Sequence, residues 1–406
     1  MEKRDILFLC QFFYPDHNSS ATLPFDTARY LAAHGFTVDA LVGYPKEYSA
    51  GAQVPLRETA EGVNIRRVPY LQLKRSGTLG RLVNYFSLTF RMLLRVRALK
   101  GYRCVFVYSN PPILPLVPIL AKGRWGTEFV FVAYDVYPEV AYASGTLRPE
   151  SMISRVMARL NRALYRDAAA VVALTDEMRA FLLERRPELD AERTVTIANW
   201  AHEKRLEPDA AAFARFGYAE GQFVVSYFGN MGTCQDMETL LDAARLLKGD
   251  DRVRFLLVGH GNKKEAVARR IAEEGLANVQ LLDFLTGRDF EQAVAVSACS
   301  VVSLEKGLMG TCAPSKYYSY LQGGMPVLAV VEKESYLAAE VEGEGIGRAV
   351  EIGDGAGLRD AILALASDRD ACRQMGGRAL RLYEEHYAYE VAMDKYRRLA
   401  ERVVRR

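Results

Sequence analysis

The chain has 406 residues and a net charge of +3, with half of its residues apolar and a quarter charged. That length exceeds what one core usually supports, so two domains are expected, and the composition is that of a globular protein. The six cysteines (Cys10, Cys104, Cys234, Cys299, Cys312, Cys372) form no C-x-x-C pair and no metal-ligand spacing, which points to reduced thiols in a reducing, cytosolic compartment.

Residues 5–12 read as a first strand; the apolar run there is too short to span a membrane and no cleavage site follows. The segment Asp16-His17-Asn18-Ser19-Ser20-Ala21-Thr22 is small and polar, as a loop binding sugar hydroxyls would be. Residues 23–33 then place Phe25, Ala28, Leu31 and Ala32 on one side of a helix, and 36–42 and 63–68 read as strands. From 62 to 127 there is no Asp or Glu but twelve Lys and Arg; the other 41 basic residues against 50 acidic ones leave the rest of the chain at −9. Inside that window, 79–99 reads as one helix with wide apolar coverage and Arg81, Asn84, Arg91 and Arg95 on one arc. Such a helix is either a core element with one wet face or a surface for an anionic membrane, and the length of the acid-free window favours the membrane. No nucleic-acid-binding module accompanies the charge. The apolar run 111–121 carries four prolines and so cannot span a membrane.

Strands are expected at 103–108, 128–133, 168–174 and 194–197, with helices near 151–165 and 176–185. After the strand at 128–133 comes Tyr134-Asp135-Val136-Tyr137-Pro138-Glu139. Its two carboxylates either cap the following segment or accept hydroxyl hydrogen bonds and take a proton. His17 is the one histidine in a candidate binding loop, and no metal site is expected. After Asn199-Trp200 the pattern restarts: strand 223–228, the loop Gly229-Asn230-Met231-Gly232-Thr233, a helix over 236–248, then strands at 254–258, 279–282, 300–304 and 327–331. Alternation of this kind argues for parallel sheets covered on both faces, twice over, with ligands beyond the carboxyl ends of the strands. The loop at 229–233 lets backbone approach a phosphate closely, and Gly259-His260-Gly261 is a weaker version. At Ala313-Pro314-Ser315-Lys316, proline suits a helix start whose free N–H groups favour an anion. Lys316 works against the helix dipole there, so it is either an ordinary solvated lysine or the counter-ion of a diphosphate. No G-x-G-x-x-G with a ribose-binding acid follows a strand, which disfavours a dinucleotide oxidoreductase.

Three features together resemble glycosyltransferase family 4, retaining enzymes of the GT-B fold. They are the Gly229-Asn230-Met231-Gly232 loop, the Pro314-Ser315-Lys316 turn, and the Tyr320-Leu321-Gln322-Gly323-Gly324-Met325-Pro326-Val327 run. Asn199-Trp200 and the polar loop at 16–22 are similar too, and the segment 135–139 resembles the bacterial O-antigen, capsule and exopolysaccharide members. The resemblance covers essentially the whole chain. It implies an α/β protein with two Rossmann-like doubly wound parallel-sheet domains facing across a cleft. Residues 1–200 would bind the acceptor and 201–388 the nucleotide-sugar, and a C-terminal helix at 389–406 would pack back toward the first domain. The implied reaction moves a sugar, with retention, from a nucleotide-diphosphate sugar (UDP-linked by expectation) to a polyprenyl-linked or other glycan acceptor. No cofactor or metal is implied. The enzyme would sit on the cytoplasmic face of the inner membrane with Arg81, Arg91 and Arg95 toward the lipid.

By the same resemblance, Gly229, Asn230, Gly232, Gly259, Gly261, Pro314, Ser315, Lys316 and Ser319 would hold the donor. His17, Asn18, Ser19 and Ser20 would line the acceptor side. Asp135, Glu139, Glu305 and Lys316 would carry the chemistry. The chain departs from the family pattern in having Thr311 and Ser319 where a pair of glutamates is usual; Glu305 is the nearby acid that could substitute. Ser19, Ser20 and Ala21 replace loop glycines, and Gln235 stands where an Arg-to-Lys pair is common. These departures leave two alternatives: a non-catalytic relative that binds a partner transferase or glycan, and a sugar-nucleotide epimerase.

Overall fold

A computed structural model of the chain describes residues 2–45, 54–73, 78–202 and 210–405. Lys74, Arg75 and Arg406 of the basic segments lie outside the described residues. The chain divides into two compact units. The first is Met1–Asn199 with Gly310–Ala313 and Glu390–Arg406; the second is Trp200–Met309 with Pro314–Tyr389.

The first unit opens with β1 (Arg4–Cys10), α1 (Ser19–Ala33), β2 (Val38–Gly43), β3 (Arg57–Ala60) and β4 (Val63–Val68). It continues with α2 (Thr78–Leu93), β5 (Tyr102–Tyr108), α3 (Leu116–Trp125), β6 (Glu128–Ala133) and α4 (Glu139–Ala143). Next come α5 (Met152–Asp167), β7 (Ala170–Ala173), α6 (Asp176–Arg185) and β8 (Thr194–Thr196). The strand order is β3-β4-β2-β1-β5-β6-β7-β8, parallel except for the β3–β4 hairpin. That hairpin turns on Glu61 and Gly62, both at positive φ (47° and 82°), the geometry a two-residue turn between twisted strands demands. Every residue of β2 and β7 is buried, as expected of parallel strands covered on both faces. On one face Leu7, Leu9, Val105, Phe129 and Val171 share a core with Leu88 and Met92 of α2, Val117 of α3, Leu164 of α5 and Leu182 of α6. On the other, Phe8 stacks on its cross-strand partner Phe106 at 5.2 Å.

The helix expected over 79–99 is shorter. Arg95 leaves the helical region (φ −110°, ψ 7°), and a 3-10 turn, Val96–Gly101, leads into β5. The expected wet arc is also displaced. Asn84 is buried, accepting from the Leu73 N–H at 2.8 Å and donating to the Leu73 carbonyl at 3.0 Å. With Asn84 and Leu88 turned inward, Leu82, Phe86, Phe90 and Leu94 are the exposed row, Arg81 is half-buried, and Arg91 and Arg95 are exposed. A hydropathy pattern counts asparagine as wet and cannot see a backbone partner for it.

The second unit comprises α7 (Ala210–Arg215), β9 (Phe223–Asn230), α8 (Glu238–Leu246), β10 (Val253–His260), α9 (Lys264–Glu274) and β11 (Val279–Leu282). It goes on with α10 (Gly287–Val296), β12 (Ser297–Ser303), α11 (Lys316–Gln322), β13 (Val327–Val330), α12 (Tyr336–Gly343) and β14 (Gly347–Val350). It closes with α13 (Gly355–Ser367) and α14 (Arg369–Leu382); α15 (Tyr389–Val404) belongs to the first unit from Glu390 onward. All neighbours in the order β11-β10-β9-β12-β13-β14 are parallel. The order runs one way from β9 and the other way from β12, so the switch point lies between them. In the first unit it lies between β1 and β5. Open parallel sheets bind ligands beyond the strand ends at these points.

Candidate active site

In the second unit the loops at the switch point are those after β9 and β12. β9 and β10 end in register, Gly259 opposite Gly229 and His260 opposite Asn230. A Cβ on Gly259 (φ +155°) would lie 1.8 Å from the Gly229 carbonyl oxygen, and one on Gly261 (φ +140°) would lie 2.3 Å from that of Met231. These two glycines therefore let the loops pack on one another. The Met231 N–H donates to the His260 carbonyl at 2.6 Å, and the Lys263 N–H to the Met231 carbonyl at 3.0 Å. Gly232 donates its N–H to Gln235 Oε1 at 3.0 Å, so this amide, expected to face a phosphate, is already occupied. A ligand reaching it must displace the Gln235 side chain.

Lys316 supplies the positive charge over this loop. Its ammonium donates to the Tyr227 hydroxyl at 2.8 Å and lies 4.4 Å from the centre of the Tyr227 ring. Its Cε is 3.6 Å from where a Cβ on Gly229 would be. The Tyr227 hydroxyl in turn donates to the Asn230 carbonyl at 2.7 Å. Burial pushes the Tyr227 phenol well above its ordinary value, so it stays a neutral relay between the ammonium and the loop. α11 has only seven residues, so its dipole is small and the ammonium carries most of the positive potential. Two tyrosines fix this helix. Tyr320 accepts the Phe228 N–H at 2.9 Å, and Tyr317 donates to Glu340 Oε2 at 2.5 Å. Pro314 and Ser315 form the turn before Lys316, their carbonyls accepting from Tyr317 and Tyr318 at 3.1 and 3.3 Å. Ser319 is one turn further along.

A second cation escaped the sequence reading. Lys263 donates to the Gln235 carbonyl at 2.6 Å and forms an ion pair with Glu305. The Glu305 N–H donates to the Cys234 carbonyl at 2.9 Å. Glu305 is thus the partner of Lys263 rather than a free acid. The available signal was the lysine pair at 263–264 directly after Gly261-Asn262.

In the first unit, the loop expected at 16–22 ends early, because Ser19 and Ser20 already form the first turn of α1. His17 is exposed. Both side-chain heteroatoms of Asn18 are shut off from solvent without a hydrogen-bond partner among the described residues. Asp135 donates its N–H to Ser109 Oγ at 3.0 Å and pairs antiparallel with Cys312, while the Val136 N–H donates to the Thr311 carbonyl at 2.7 Å. Gly310 donates its N–H to Glu177 at 2.9 Å, so residues 310–313 are tied into this unit. Asp135 therefore stands beside Thr311, and burial pushes its carboxyl up to about 6. Glu139, expected at the chemistry, is instead forked by Arg186 Nη2 at 2.7 Å to each oxygen, and that guanidinium lies 5.4 Å from the Tyr165 ring. It is a structural ion pair.

Two doubly wound units, the second with a cation and paired glycine turns at its switch point, place these groups where open parallel sheets bind ligands. Residues 25–200 match the glycosyl transferase 4-like domain, and residues 222–368 match the glycosyl transferases group 1 domain. The chain belongs to the glycosyltransferases of GT-B architecture and is related to bacterial polysaccharide-biosynthesis enzymes. It is 28% identical over 315 residues to WbjE of Pseudomonas aeruginosa, named as a glycosyltransferase, covering 76% of each chain. It is 22% identical over 384 residues to WcaI of Escherichia coli, named for glycosyl transfer in colanic acid biosynthesis, covering 87% of this chain and 91% of that one. The structure of HepE from Anabaena in complex with UDP-glucose superposes with a TM-score of 0.72 at 18% identity, covering 98% of this chain and all of the other.

Proposed function

We propose that this glycosyltransferase moves a sugar, with retention of anomeric configuration, from a UDP-sugar to a lipid-linked glycan acceptor during cell-surface polysaccharide synthesis. The observation that carries the reading is the Lys316 ammonium held over Gly229 by Tyr227. As the glycosidic bond breaks, charge develops on the leaving diphosphate. A cation fixed in place before reaction meets that charge without reorganising, and losing one such group typically costs about 10²–10³-fold in rate. Lys263, beside the same loop, is positioned to add a second charge by exchanging Glu305 for a phosphate oxygen. No divalent ion is then required. Retention follows if the acceptor hydroxyl attacks from the side the diphosphate leaves, with the departing oxygen taking the proton.

Asn18 and Asp135 would meet the acceptor. The unpartnered amide of Asn18 suits a sugar hydroxyl, and Asp135 would substitute for the carboxylate usual at position 311. HepE, described with UDP-glucose, supports a UDP-sugar as the first donor to try. The named role of WcaI supports a surface-polysaccharide acceptor, which would place the enzyme on the cytoplasmic face of the membrane.

The test is a screen of nucleotide sugars for nucleoside-diphosphate release, with and without lipid extract, followed by NMR assignment of the new linkage. Release stimulated by lipid with an axial-to-axial or equatorial-to-equatorial outcome supports the reading. An inverted linkage, or no release with any donor, contradicts it.

A further inference from the structure

The first unit carries an apolar outer surface that neither the donor chemistry nor the acceptor loops use. On α2, Leu82, Phe86 and Phe90 recur every four residues, and Leu94 extends the row; they are 38%, 61%, 61% and 65% exposed. The same helix buries Leu88 and Met92 in the core, so this row is a second apolar face rather than the packing face. α5 repeats the arrangement. Met152, Ile153 and Val156 are exposed at 74%, 56% and 57%, whereas Met157 and Leu164 face inward. Both helices cover the same face of the sheet, and α3, which packs against each, exposes Leu120 between them. Single exposed apolar side chains are ordinary, but rows of them on neighbouring elements mark an interaction surface.

Charge selects the occupant. Exposed Arg91 and Arg95 adjoin the α2 row, and exposed Arg155 and Arg159 adjoin the α5 row. The sequence has no Asp or Glu at 62–127, and none at 151–166. A second copy of this chain would set arginine against arginine. An anionic bilayer offers both an apolar interior and phosphates to these side chains. Among the described residues no helix is long and apolar enough to cross a membrane. At 16 residues each, α2 and α5 have the length of about 24 Å that suits lying in the interface plane.

We infer that the outer face of the α2–α3–α5 layer docks on an anionic membrane by inserting Phe86, Phe90, Met152 and Ile153 into the acyl boundary. Arg91, Arg95, Arg155 and Arg159 lie at the headgroup phosphates. This rests on the proposed lipid-linked acceptor only for its purpose, not for its geometry. It differs from docking by charge alone in that part of the binding must survive salt.

The test is co-sedimentation of the full chain with vesicles of phosphatidylglycerol and phosphatidylethanolamine, at about 0.15 M and about 1 M salt. Phe86→Ser/Phe90→Ser, and separately Met152→Ser/Ile153→Ser, should each lower vesicle partitioning by about tenfold at both salt concentrations. Arg155→Glu/Arg159→Glu should lower it chiefly at the lower salt. Thermal midpoint and donor binding, measured on each variant, should match the parent. The inference is overturned if the parent ignores anionic vesicles, if the serine variants partition as it does, or if their effect is instead to dissociate an oligomer seen by light scattering. Partitioning is measured without donor, so failure of the proposed transfer reaction would leave this result unaffected.

Discussion

The Tyr320 hydroxyl accepts the Phe228 backbone N–H at 2.9 Å, tying the helix that starts at Lys316 to the strand that ends at Gly229. The position of the ammonium over the glycine loop depends on this bond, because both groups are buried and Phe228 N–H has no competing solvent. Tyr320→Phe should therefore destabilise the chain by about 1–3 kcal/mol, the penalty of a buried unsatisfied donor. It should also lower kcat more than it raises the donor KM, since the cation remains but is misplaced. Chemical denaturation and steady-state kinetics on the one variant check both. Loss of stability with unchanged kcat would leave Tyr320 a purely structural residue.

Glu139 should behave differently from the residues of the donor loop. Its carboxylate is forked by Arg186, with side-chain exposures of 24% and 13%. Glu139→Gln should lower stability by about 1–3 kcal/mol, as expected for a charge-assisted hydrogen bond, and leave kcat per folded molecule as it was. A collapse of kcat in a fully folded variant would return Glu139 to the chemistry.

Asp135 makes a pH prediction. Its carboxyl is pushed up to about 6 by burial. The folded chain then favours the neutral form, so this group's contribution to stability is greatest at low pH. That contribution falls as pH rises from about 4 to about 6, and levels off above. Asp135→Asn should raise stability near neutral pH, by at most about 3 kcal/mol, and change it little at about pH 4. The difference in thermal midpoint between variant and parent across that window is the measurement. Equal differences at both ends would show that the carboxyl is not perturbed. The same variant should lose transfer to acceptor while keeping donor binding.

Metal removal should leave transfer intact. If Lys316 and Lys263 meet the diphosphate charge, exhaustive treatment with a chelator and assay in chelator-containing buffer should reproduce the untreated rate. A rate that collapses and returns only with added divalent ion contradicts the proposal that amides and lysines suffice.

Much of the architecture was legible because parallel strands buried on both faces leave continuous apolar runs, as at 105–108 and 129–133. The glycine turns at 229–232 and 259–261 were equally visible, since only glycine tolerates the contacts made at Gly259 and Gly261. What escaped were pairings between distant residues. Nothing near Glu139 in the sequence announces Arg186, nothing near Glu305 announces Lys263, and Gln235 gives no sign that it occupies the Gly232 amide. The α2 register failed for a related reason, because Asn84 finds its partner in the backbone of Leu73. Thr311 lies within the range expected for the second domain, 201–388, whereas residues 310–313 fold into the first unit beside Asp135.

The most direct test of the donor mechanism is single-turnover transfer by Lys316→Ala and Lys316→Arg with a saturating nucleotide-sugar. The alanine variant should bind donor but lose about 10²–10³-fold in the rate of diphosphate release, with the arginine variant partly restored. An alanine variant that turns over as fast as the parent would mean that the ammonium over Gly229 does not stabilise the leaving group.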